Sequence, residues 1–159
     1  MPIALSSDQV WKVLEREIFA VLATVSSRGQ PRTAGIVYAV KDRTLYIATG
    51  LSSYKARNVQ RNPHVSLTVT VDKRIPFLPW IKIPPATITF QGLARLRPAD
   101  SVGADLRKLL LRGLKAGRQS LADLGLIEVT PVGEFVTYGI GVPLMTMRLP
   151  EAARGRAPV

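Results

Sequence analysis

The stretch Thr49-Gly-Leu-Ser-Ser-Tyr-Lys-Ala-Arg-Asn-Val-Gln-Arg-Asn-Pro63 sets the reading of the whole chain. It follows an apolar, β-branched run (residues 44–48) that suits a buried strand. It precedes residues 64–71, where Val65, Leu67, Val69 and Val71 alternate with polar side chains, so one face is buried and one is more polar. Between the two lies a short helical pattern, stopped by Asn62-Pro63. Ser52 and Ser53 stand where a helix N-cap belongs, and such a cap leaves the first backbone N–H groups free. Those groups carry partial positive charge, so a helix N-terminus can hold an anion. Lys55 and Arg57 fall in the first turns, within reach of the same anion. The stretch reads as strand, helix and strand carrying a phosphate cradle, although a capped surface helix with solvated charges would use the same residues.

Working outward, Ser6-Ser7-Asp8 starts a helix over about 7–17, with Val10, Trp11, Val13 and Leu14 on its apolar face. Residues 19–25 form an apolar, β-rich run, and Ser26-Ser-Arg-Gly-Gln30 makes a turn in which Gly29 can supply a positive φ. A second strand is expected over 31–40 and a third over 44–49, giving an antiparallel meander. Downstream, residues 87–96 read as a strand and Pro98-Ala-Asp100 opens a helix to about Ala116. Two further strands, 126–132 and 134–147, are separated by a Pro-Val-Gly-Glu turn. The expected fold class is mainly β (α+β): a six- to seven-stranded antiparallel split β-barrel with two or three helices, since closure removes vulnerable edges. Residues 1–148 are expected as a single domain and 149–159 as a mobile tail rich in Pro, Ala, Arg and Gly.

Composition narrows the function. The chain has 159 residues, 47% hydrophobic and 21% charged, as expected of one globular domain. With no cysteine there are no disulfides and no thiolate metal sites, and a single histidine, His64, cannot build a multi-histidine metal centre. His64 follows Pro63 at a strand start and reads as structural. The net charge of +11 favours anionic partners such as nucleotides, nucleic acid or acidic lipid. No basic block is interleaved with aromatics, so the case for nucleic acid is weak. A basic segment followed by an apolar one is missing from the N-terminus, and no apolar run approaches the roughly 20 residues that span a membrane. The expected location is the cytoplasm. Ile75-Pro-Phe-Leu-Pro-Trp-Ile-Lys-Ile-Pro-Pro85 is apolar and aromatic, yet its prolines bar a regular helix or central strand. Such a loop meets something: a subunit, a ligand as a lid, or a membrane surface.

Four pieces, in order and spacing, carry a resemblance: Phe19-Ala-Val-Leu-Ala-Thr-Val, Gly29-Gln-Pro-Arg, Thr44-Leu-Tyr-Ile-Ala-Thr-Gly and Lys55-Ala-Arg-Asn-Val-Gln-Arg-Asn-Pro-His-Val-Ser-Leu. Together they resemble the pyridoxamine 5'-phosphate oxidase-like flavin-binding split barrels. The resemblance implies a homodimer that binds FMN, or in one branch the deazaflavin coenzyme F420, between subunits. It places Thr49, Ser52, Ser53 and Lys55 at the cofactor phosphate, with Arg57 and Asn58 in support. Arg32, Thr33, Ala34, Gly35 and Ile36 would lie along the isoalloxazine ring, and backbone N–H groups there would polarise its carbonyl oxygens. Where the vitamin B6 oxidases carry an Arg-Val-Glu-Gly strand, this chain reads Phe90-Gln91-Gly92, which argues against that substrate. FMN is the expected cofactor and F420 the alternative, to which the positive charge and that cofactor's oligoglutamate tail would suit each other.

The implied activity is that of a flavin- or deazaflavin-dependent oxidoreductase acting on a small molecule. The cofactor performs the hydride or electron chemistry and the protein supplies binding and orientation. No side chain stands out as a proton donor or other catalytic group. Tyr38 is the best available, and is read as a wall of the substrate pocket together with Phe77 and Trp80 of the apolar loop. A non-enzymatic flavin or deazaflavin carrier or sensor fits the same residues, and an anionic-surface or nucleic-acid binder is a third reading.

Overall fold

A computed structural model describes residues 3–111 and 123–159 of the chain. Among these residues nine strands lie in one sheet: β1 (Ile3–Ala4), β2 (Phe19–Val25), β3 (Pro31–Val37), β4 (Ala39–Lys41), β5 (Thr44–Gly50), β6 (His64–Val71), β7 (Ala86–Pro98), β8 (Leu124–Tyr138) and β9 (Arg154–Pro158). The main path runs β1-β9-β8-β7-β6-β2-β3, and the β4–β5 hairpin joins it through β8. All pairings are antiparallel except β1 with β9. The sheet curls into the split barrel expected for this pattern, mainly β as the sequence predicts.

Alternation builds the barrel. In β2, Ala20, Leu22 and Thr24 are buried; in β5, Leu45, Ile47 and Thr49; in β6, Val65, Leu67 and Val69. These inward positions meet Ile88, Phe90, Ile127, Val129 and Phe135 from β7 and β8 in one continuous core. Helix α1 (Ser7–Arg16) plugs it with Val10, Trp11 and Leu14, all buried. Trp11 meets Phe135 edge-on, with ring centroids 5.5 Å apart, and Phe135 meets Phe90 at 5.3 Å. Ser6 caps α1 by accepting from the Gln9 amide, and the Gln9 side chain accepts from Ser6 N–H in return.

Helix α2 (Tyr54–Arg61) and helix α3 (Ala104–Leu111) lie outside the barrel, and α4 (Pro150–Ala153) leads into β9. Leu106 of α3 packs with Leu126, Ala39, Tyr46 and Ala48 on the outer face of β4, β5 and β8. Nearby, the Glu128 carboxylate accepts from Arg95 Nε and Nη2 at 3.1 and 2.7 Å and from Arg97 Nη1 at 2.8 Å.

Several expectations need correction. The strand expected over 31–40 breaks at Tyr38, whose amide donates to Ile18 O, and the chain restarts as β4. β5 therefore pairs with β4 and β8 and does not continue the β2–β3 meander. The two strands expected over 126–147 are one strand, β8, ending at Tyr138; it runs through Pro131 and takes up Gly133 at φ 78° with a register shift against β7. The helix expected to about Ala116 begins at Ala104, and its extension beyond residue 111 lies outside the described residues. The tail after Leu149 is helix and strand: β9 pairs with β8 on one side and β1 on the other, burying Ala153 and Ala157.

Candidate functional site

The capped helix α2 meets the β2–β3 hairpin beside the end of β5. Ser53 is the N-cap, in extended conformation, and its hydroxyl accepts from Ala56 N–H at 3.2 Å. Thr49 Oγ1 lies 2.9 Å from Ser53 Oγ, so the end of β5 fixes the cap. The buried Ala56 and Val59 seat the helix, and Asn58 Nδ2 donates to Thr24 Oγ1 at 3.0 Å, tying α2 to β2. Asn58 is thus held from inside, and its amide is committed to the scaffold.

On the outer side, Tyr54 bridges to the hairpin, donating from its hydroxyl to Thr33 O at 3.2 Å. Arg32 and Lys55 stack over its ring, 5.7 and 5.4 Å from the centroid. A groove of about 420 Å³ opens beside this bridge, walled by Ser26, Arg28 and Arg32 of the hairpin and by Tyr54, Arg57 and Arg61 of α2. Ser27, Gln30 and Asn58 complete the lining. Four arginines face the groove and, among the described residues, no carboxylate lines it, so the site suits a ligand carrying more than one negative charge. Guanidinium groups can take phosphate or carboxylate oxygens two at a time.

Of the residues singled out in the sequence, Arg32, Arg57 and Asn58 line this groove. Thr49 and Ser53 hold the cap behind it, Ser52 is exposed, and Lys55 is turned onto Tyr54 outside the groove lining. Thr33 contributes its carbonyl to Tyr54, Ala34 packs partly against the core and Ile36 is buried in it. Gly35 lies close against the Phe19 ring; a Cβ there would sit 3.0 Å from Phe19 Cε2. β3 terminates the sheet path, leaving its outer edge without a strand partner among the described residues.

The expected substrate-pocket residues do not come together within the chain. Tyr38 is in the core, with its hydroxyl donating to Leu14 O at 2.9 Å. Burial pushes that phenol well above its usual range, with the Glu17 charge adding to the effect, so it stays a protonated structural donor. Phe77 and Trp80 are exposed on the loop joining β6 to β7. That loop leaves β6 at Val71, whereas the groove is level with its His64 end, a strand length of about 26 Å away.

Arg28, Arg61, Ser26 and Tyr54 were not singled out by the sequence reading. Arg61 follows Arg57 by four residues and so shares its helix face, a signal that was present. Arg28 sits in a turn, and its approach to α2 follows from strand pairing that no local pattern records.

A sequence family described as pyridoxamine 5'-phosphate oxidase matches residues 6–136. No curated protein sequence matches the chain. Among solved structures, an F420 reductase is 28% identical, with the match covering 78% of this chain and 93% of that one at a TM-score of 0.59. The general stress protein 26 of Bacillus anthracis is 20% identical over 82% of this chain and 90% of that one, TM-score 0.59. HutZ, a heme storage protein of Vibrio cholerae, is 18% identical over 89% and 98%, TM-score 0.66. The last two likenesses are of fold.

Proposed function

The chain belongs to the pyridoxamine 5'-phosphate oxidase family, and from that membership we propose that it is an oxidoreductase binding a phosphorylated flavin-type cofactor, coenzyme F420 in preference to FMN, and acting on a small molecule. The observation that carries this is the four-arginine groove between α2 and the β2–β3 hairpin, free of carboxylates among the described residues. FMN brings one phosphate, which Arg32 and Arg57 would satisfy beside the capped helix. Arg28 and Arg61 would then face no anion, whereas an oligoglutamate tail would give them one. The 28% identity to an F420 reductase supports the same choice.

When bound, the cofactor supplies the hydride chemistry. The chain's residues do the rest. Arginines fix the anionic end, Tyr54 holds the hairpin against α2, and the free edge of β3 offers backbone donors over 33–36 to the ring. In this reading two chains pair as a homodimer and the ring lies between them. Calorimetric titration with F420 and with FMN tests the proposal. Saturable binding of F420, tighter than that of FMN, is expected; tighter binding of FMN would reject the choice of cofactor, and binding of neither would reject the site. Tyr38, buried and hydrogen-bonded to Leu14 O, does not serve as a proton donor at the groove, which also suits a carrier. Steady-state turnover with a nicotinamide donor separates the two, and light scattering at micromolar concentration tests the dimer.

A further inference from the structure

We propose that the loop between β6 and β7 docks the protein onto an anionic lipid surface. The loop projects apolar side chains into solvent: Phe77 is 94% exposed, Trp80 73%, Ile81 44% and Leu78 38%. Loops left in water are normally polar. Phe77 also holds φ 71°, a left-handed conformation that Gly or Asn adopts readily and a bulky aromatic residue rarely does. Two successive turns set the tip, with Leu78 N–H donating to Ile75 O and Ile81 N–H donating to Leu78 O, both at 3.2 Å. Four prolines between 76 and 85 stiffen what remains, so little conformational freedom is left to lose on docking. The apolar surface continues across a cleft of about 280 Å³ onto the segment before α4, where Met145 and Leu149 are exposed as well.

The charges around this prong identify the partner. Lys73 and Arg74 precede it, and Lys82 and Arg148 both line the cleft beneath it; the carboxylates in the same two segments are Asp72 and Glu151. A projecting aromatic tip ringed by cations matches a bilayer interface. Trp sits at the headgroup level, apolar side chains enter the acyl boundary, and Lys and Arg meet lipid phosphates. The cations beside this apolar surface outnumber the carboxylates of the same two segments, which favours an anionic headgroup layer over a second protein. Among the described residues no helix is long and apolar enough to cross a membrane, and the attachment proposed is peripheral. It lies at the opposite end of β6 from the arginine groove and leaves that groove open. The inference is independent of which cofactor binds.

The test is co-sedimentation of the full chain with phosphatidylcholine vesicles, with and without phosphatidylglycerol. A Trp11→Phe background is used so that Trp80 alone reports. The expected result is binding to the anionic vesicles with a blue shift of Trp80 emission, and a partition coefficient lowered about fivefold by Lys82→Gln. Phe77→Asn with Trp80→Ser should abolish sedimentation while leaving the thermal transition in place; Asn accepts the left-handed backbone, so folding is spared. No sedimentation with anionic vesicles would overturn the proposal. So would equal binding by the double variant, or a dimer that the double variant splits without any lipid binding by the parent; the last would make the loop a subunit contact.

Discussion

Replacing Arg57 by alanine gives the sharpest reading of the groove. Arg57 is exposed, lines the groove and joins none of the ion pairs among the described residues, so its removal should change folding stability by no more than about 0.5 kcal/mol. A hydrogen bond to a charged group contributes about 1.5–3 kcal/mol. At about 1.4 kcal/mol per tenfold, Arg57→Ala should raise the Kd about 10- to 150-fold. Lys55 makes the control, because its ammonium stands over the Tyr54 ring and outside the groove lining. Losing that contact within the chain costs about 0.5–1 kcal/mol of stability and removes nothing from the groove lining, so Lys55→Ala should bind the cofactor close to the parent. Arg28→Ala with Arg61→Ala separates the cofactors: it should cost F420 much and FMN little. Isothermal titration of each variant with both cofactors supplies the numbers. If Arg57→Ala binds like the parent, or Lys55→Ala is the more damaged, the anion sits elsewhere and the groove argument fails.

Three further outcomes are expected. Burial alone would raise the Glu128 carboxyl, but the hydrogen bonds and charges of Arg95 and Arg97 outweigh it and hold the group below its usual range. Its folded pKa then lies below the unfolded value of about 4.3, so it adds stability that is complete above that pH and lost as pH falls through the folded pKa. Urea denaturation should find Glu128→Gln less stable than the parent by about 1–3 kcal/mol at pH 7, with the gap closing in acid; a gap independent of pH would refute this. Tyr38→Phe should cost about 0.5–1.5 kcal/mol of stability in the same assay and leave cofactor affinity unchanged, since its hydroxyl serves Leu14 O. Deleting 154–159 should cost about 3–5 kcal/mol at about 1 kcal/mol per lost ladder bond, seen as a lower Tm; an unchanged melt would mean that β9 contributes nothing.

What could be read in the sequence follows from where the signal resides. β6 was legible at both ends because Val65, Leu67 and Val69 alternate with polar residues between Pro63 and a charged turn. α1 was legible because its cap and apolar face are local. β9 was not: its buried residues are Gly155 and Ala157, too small to register as a hydrophobic face, and only β8 and β1 give them an interior. β8 looked like two strands because Pro131 and Gly133 read as a turn. Pro131 is tolerated because it falls between the stretch of β8 paired with β5 and the stretch paired with β9. At the site, the capped helix was visible and the groove was not, since half of its arginine lining arrives through the pairing of β2 with β3 and the return of α2. Tyr38 was misplaced for the opposite reason: an aromatic next to a candidate ring site looks functional until the core claims it.

The pairing of β1 with β9 has a bearing on how the chain assembles. Ile3 is registered with Gly155, so among the described residues β1 has β9 alone as its sheet partner. On a ribosome adding about 5–20 residues per second, β1 emerges before β9 and waits unpaired until the intervening residues have followed it. α1 waits with it, because Phe135, against which Trp11 packs, also comes late. The β2–β3 hairpin can form locally in the meantime, but the plug and the final seam close together. Such long-range closure favours slow, cooperative folding over assembly in stages. A chain stopped short of Arg154 would leave both its first strand and the outer edge of β8 open to pairing with other chains, which is an aggregation hazard.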